Sequence, residues 1–169
     1  SLFAPSPDGR YLAYGLSQGG SDWSTVYVRT LAGGKQLTDT VQWLKFSGMG
    51  WTKDGKGFFY SRYPAPDAGK ELQSAIRDQK LYYHRLGTQQ SADRMVYERT
   101  DHPEWFVFGS MSDDGRFVYI TVANGTVAVS QNGGKTAQTF IPVGATSVRV
   151  EPEPHPNHNG WARLAIADY

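Results

Sequence analysis

The 169-residue chain has no cysteine, which excludes disulfide cross-links and thiolate chemistry and leaves the compartment open between cytoplasm and periplasm. No apolar run comes near the roughly 18 residues that a membrane-spanning helix requires. Charge of one sign is also missing. Seventeen lysines and arginines stand against 16 aspartates and glutamates, and the net +1 leaves no footprint for nucleic acid or an anionic membrane. Neither is expected as a partner. The amino-terminal Ser1-Leu-Phe-Ala-Pro-Ser-Pro-Asp-Gly9 lacks a basic region followed by an apolar stretch, so no signal peptide is expected. Glycine-rich phosphate loops are absent, and no cofactor is expected.

What is present favours strands. Aromatics make up 14% of the chain, and 19 glycines with 9 prolines supply turns between pleated segments. One pattern recurs three times: Ser6-Pro-Asp-Gly-Arg10 before Tyr11-Leu-Ala-Tyr14, Thr52-Lys-Asp-Gly-Lys56 before Phe58-Phe-Tyr60, and Ser112-Asp-Asp-Gly-Arg116 before Phe117-Val-Tyr-Ile120. Asp8, Asp54 and Asp114, each followed by Gly9, Gly55 or Gly115, are therefore read as structural turn formers feeding strands that are apolar on both faces. The aspartates lie 46 and 60 positions apart, and the longer interval holds a loop insertion at Pro64–Lys70. A repeat of about 40 to 50 residues indicates four-stranded propeller blades, which pack face to face.

The fold expected is all-β, a partial propeller of about three and a half antiparallel blades. Later strands are placed at Ser24–Thr30, Val41–Phe46, Lys80–Leu86, Arg94–Arg99, Thr126–Ser130 and Thr139–Val143. A fourth turn is read near Pro156–Gly160, before Trp161–Ala167, and Glu71–Gln79 is the one helix-like stretch, inside a loop.

No catalytic residue and no metal site are expected. Gly15-Leu-Ser-Gln-Gly19 matches the G-x-S-x-G nucleophile elbow in letters, but an elbow needs a strand, a sharp turn and a helix, and a β pattern follows here. His84 sits in a Tyr-Tyr-His-Arg strand as a solvent-facing or core side chain, and His102 precedes Pro103 in a loop. His155 and His158 share a proline-rich loop with no further ligand. Asp8, Asp54, Asp113 and Asp114 serve turns better than paired acid–base chemistry.

Residues 1–122 resemble the propeller domain of the prolyl oligopeptidase family. The longest matching strings are Lys45-Phe-Ser-Gly-Met-Gly-Trp-Thr-Lys-Asp-Gly-Lys-Gly-Phe-Phe-Tyr-Ser-Arg-Tyr-Pro64 and Lys80-Leu-Tyr-Tyr-His-Arg-Leu-Gly-Thr88. The resemblance implies a size-filtering propeller that caps a hydrolase domain carrying Ser, Asp and His, in a serine peptidase that cuts short peptides after proline. It also implies that Phe46, Met49 and Phe106 line the substrate pocket, although each fits a blade core equally well. The family's substrate-binding arginine would fall at Ala123, so that function is expected to be lost. From 123 to 169 the chain diverges, and Ser130–Thr136 is similar to an Asp-box turn of sialidase-like propellers, which opens a lectin-like or engineered chimeric alternative. Expected partners are proline-containing peptides, a complementary propeller or hydrolase segment, or a second copy closing a ring of about seven or eight blades.

Overall fold

A computed structural model describes residues 2–17, 21–71, 76–123, 136–142, 149–152 and 162–165. Among the described residues thirteen strands fall into four antiparallel sheets. The first blade is β1 (Phe3–Pro5), β2 (Tyr11–Ser17), β3 (Ser24–Thr30) and β4 (Gln36–Leu44). The second is β5 (Met49–Trp51), β6 (Gly57–Arg62), β7 (Lys80–Arg85) and β8 (Arg94–Glu98). A third sheet joins β9 (Phe106–Met111), β10 (Phe117–Ala123) and β11 (Thr136–Pro142), and β12 (Arg149–Pro152) pairs with β13 (Ala162–Ala165). No α-helix occurs among the described residues, where the sheets do not close a ring.

The doubly apolar strands explain how the blades stack. In β6, Phe58 and Tyr60 enter a core shared with Val26, Val28, Val41 and Leu44 of the first blade. Phe59, between them in sequence, points the other way into a core with Val107, Val118 and Ile120 of the third. Successive side chains of a strand leave opposite faces, so one strand supplies two interfaces. Full burial of each ring contributes on the order of 1.5–3 kcal/mol.

Each Asp-Gly turn is closed the same way. Gly9, Gly55 and Gly115 have φ of +71, +65 and +75°, where an L side chain is strained. Their amides donate to Ser6, Thr52 and Ser112 carbonyls at 2.9, 3.0 and 2.9 Å. Ser6 Oγ, Thr52 Oγ1 and Ser112 Oγ donate to Asp8, Asp54 and Asp114, each at 2.7 Å. These hydroxyl bonds, with backbone amides two residues on, pull the Asp8 carboxyl from 3.8 down to about 2 and lower Asp54 and Asp114 also. The turns touch one another too: Arg10 Nη2 donates to the Asp54 carbonyl at 3.3 Å, and Lys53 Nζ to the Asp113 carbonyl at 2.7 Å.

Several boundaries depart from expectation. β4 spans Gln36–Leu44: Gly33 and Gly34 at φ +76 and +63° turn the chain early, and Trp43 at φ +68° sits at a register shift just before the strand's last pair, Ser24 with Leu44. Residues 76–79 are not helical, and Asp78 has φ +63°; residues 72–75 of that helix-like stretch lie outside the described residues. A 3-10 turn at Gln90–Ala92 has no counterpart in the sequence pattern. The strand expected at Thr126–Ser130 and the turn at Pro156–Gly160 lie outside the described residues.

Candidate functional site

The first strands of successive blades lie side by side, with β5 alongside both β1 and β9, as strands around a propeller axis do. Gly50 permits this approach, since a Cβ there would sit 2.7 Å from the Gly109 carbonyl oxygen. All three Asp-Gly turns follow these strands and so share one rim. The opposite rim is where β5 and β9 begin, and there the chain presents Phe46 and Phe106.

Phe46 and Phe106 meet edge to face with ring centroids 5.8 Å apart, and Phe108 stacks behind Phe106 at 6.5 Å. Phe46 is 51% exposed, which a blade-core residue would not be. It also carries φ +48°, a conformation that costs a non-glycine residue of order 1–3 kcal/mol and that clusters at functional sites. Lys45 Nζ lies 5.6 Å from the Phe46 ring and 5.4 Å from that of Trp23, and it pairs with Asp22 at 3.2 Å. Below, the Ser61 amide donates to Ser47 Oγ at 3.0 Å, while Ser61 Oγ donates to the Val107 carbonyl. Met49 goes elsewhere: it is half-buried in β5 and packs against the core between the first two blades. Two of the three residues expected to line a pocket are therefore neighbours. Backbone register sets Ala123, the position at which the resemblance implies an arginine, directly opposite Phe106.

A second cluster was not legible in the sequence. His84 is fully buried, with Nε2 3.1 Å from Asp39 Oδ1 on β4 and Nδ1 2.8 Å from Asp93 Oδ1 just before β8. Of the two readings open for this histidine, core is the outcome and solvent-facing is not. Tyr60 Oη donates to Asp93 Oδ2 at 2.6 Å, and the Gly87 amide to Asp39 at 2.6 Å. A neutral imidazole can donate from one nitrogen only, so two ionised carboxylates flanking the ring favour the imidazolium. Burial alone would push the His84 pKa down, but the bonds and charges of Asp93 and Asp39 outweigh it and the net shift is upward. The cluster ties the first blade to the second.

Ser17 ends β2 opposite Ser24 in an antiparallel hairpin, not a strand–turn–helix elbow. His102 stacks on Trp105 at 4.0 Å, with Glu104 and Asp101 nearby at 3.6 and 3.7 Å. His155 and His158, and all of Ser130–Thr136 but Thr136, lie outside the described residues, among which no group of three metal-ligating side chains occurs.

The family model for the prolyl oligopeptidase N-terminal β-propeller domain matches residues 1–142, past the divergence expected at 123. Prolyl oligopeptidase A of Amanita bisporigera is 42% identical over 135 residues, covering 70% of this chain and 18% of its own length. A prolyl endopeptidase of Elizabethkingia meningoseptica is 37% identical over 142 residues, covering 80% of this chain and 19% of its own length. Among solved structures, prolyl oligopeptidase B from Galerina marginata bound to a 25mer macrocyclization substrate superposes with a TM-score of 0.66 at 39% identity, over 72% of this chain and 18% of that one. The chain thus spans less than a fifth of the length of these relatives.

Proposed function

Because this chain belongs to the prolyl oligopeptidase family and carries that family's N-terminal propeller, we propose that it is a non-catalytic, substrate-gating wall whose Phe46–Phe106 pair faces proline-containing peptides. The carrying observation is the exposed, strained Phe46 set against Phe106 at the rim where the inner strands begin. An apolar, edge-to-face pair offers a proline ring a flat surface and no reacting group. Met49, packed against the core between the first two blades, is left out of this surface. A segment bearing the Ser, Asp and His of the hydrolase supplies the chemistry.

The test is a chromogenic succinyl-Gly-Pro p-nitroanilide assay with the chain alone. No turnover is expected, and turnover without a second chain would overturn the reading. What supports a partner is the outward face of the first blade, where Leu2, Phe3, Tyr14, Leu16 and Arg29 line an apolar concavity of about 280 Å³. Phe3 there is 67% exposed. A second copy supplying further blades would cover that face.

A further inference from the structure

The geometry points to Gln79 as the positioning residue that holds Phe46 against Phe106, an inference that rests on the peptide-facing role given to that pair. Gln79 lies just before β7 and is 3% exposed. Its Oε1 accepts the Val107 amide at 2.7 Å, next to Phe106. Its Nε2 lies 3.2 Å from the Lys45 carbonyl and 3.3 Å from the Phe46 carbonyl. One buried amide thus joins the segment entering β5 to the strand β9, and both of its ends are used. The backbone on each side is strained, with Phe46 at φ +48° and Asp78 at φ +63°. Such conformations persist where the surroundings over-determine them. Here those surroundings are the Gln79 amide, the Pro103 carbonyl that accepts the Asp78 amide at 2.7 Å, and the Ser47–Ser61 bond.

The chemistry requires an amide. A glutamate would still accept from Val107 but would set an acceptor against two carbonyls, and a leucine would leave all three backbone groups unpaired. In Gln79→Glu the Val107 side should therefore hold while Phe46 swings away, a selective effect that general destabilisation does not produce.

Ring-to-ring nuclear Overhauser effects between Phe46 and Phe106 provide the readout in the full chain, with an acetyl-Ala-Gly-Pro amide peptide as titrant. The wild type should show the ring-to-ring effect and peptide-induced shifts at both rings. Gln79→Glu and Gln79→Leu should abolish the effect and weaken the peptide about tenfold or more, while Gly115→Val, destabilised on the opposite rim, should keep it. If the rings of Gln79→Glu stay together, the positioning role is overturned whatever the peptide does. If they separate in Gln79→Glu, but the peptide shifts neither ring in the wild type, the positioning role stands and the peptide-facing one is overturned.

Discussion

Gly55 shows how much one residue carries. Its φ of +65° already disfavours any side chain, and a Cβ there would also collide with the Asp8 carboxylate of the preceding turn. Gly55→Val should therefore destabilise the fold by roughly 1 kcal/mol or more. Thermal melting is the check, and an unchanged midpoint would mean that the turn relaxes freely. Asp8 acts with the opposite pH sense to a histidine. Its carboxyl is lowered from 3.8 to about 2, so its stabilising contribution is present above the ordinary value and is lost as pH falls toward about 2. At Ala123 the prediction is a gain. Ala123→Arg places a cation opposite Phe106 in the register, and binding of the acetyl-Ala-Gly-Pro amide peptide should tighten several-fold by fluorescence or chemical-shift titration. Equal affinity would separate this position from the candidate site.

Between elements, the buried Asp39–His84–Asp93 cluster is the joint to test. Because the folded-state pKa of His84 is raised above 6.5, its contribution is complete below that value and is lost as pH rises through the raised one. Wild-type melting temperatures should fall as pH rises above 6.5 and through the raised value, and His84→Gln should flatten that slope while costing about 3–5 kcal/mol, as when one partner of a buried charge network is removed. Parallel slopes in the two proteins would overturn the assignment. No local pattern announces this joint. Asp39 and His84 are 45 positions apart and meet only because β4 packs across the second blade. The turns were readable because Ser-Pro-Asp-Gly and its kin encode their geometry within five residues. β3 was readable from end to end because Val26 and Val28 alternate with outward residues. Gln79 was hidden for a different reason: polar residues around it resemble a helical loop segment, and its three backbone partners come from two distant segments.

For the whole molecule, the question is what covers the two ends of the blade array. Blades bury both faces of β6 but leave the outer face of β2 with Leu16 53% exposed. We propose a homodimer completing about seven or eight blades in solution. Light scattering coupled to size exclusion checks it, and a concentration-independent mass near 18.8 kDa would overturn the dimer. The blade architecture was legible because the repeat survives in sequence, whereas the way the ends are covered depends on surfaces that repeat logic does not reach. The contacts between turns add a constraint of another kind. Arg10 reaches forward to the second turn and Lys53 forward to the third. Arg116 holds the same bond to Asp114, 2.6 Å, that Arg10 holds to Asp8. The row of turns consequently has a direction, and blade order is spelled into it. In a shuffled array with the third blade placed ahead of the second, the acid Asp113 would stand where the donor Lys53 now stands, facing a carbonyl it cannot serve. Blades cut from this chain are therefore not identical bricks at this rim: the native order keeps the Lys53 contact and the shuffled one loses it.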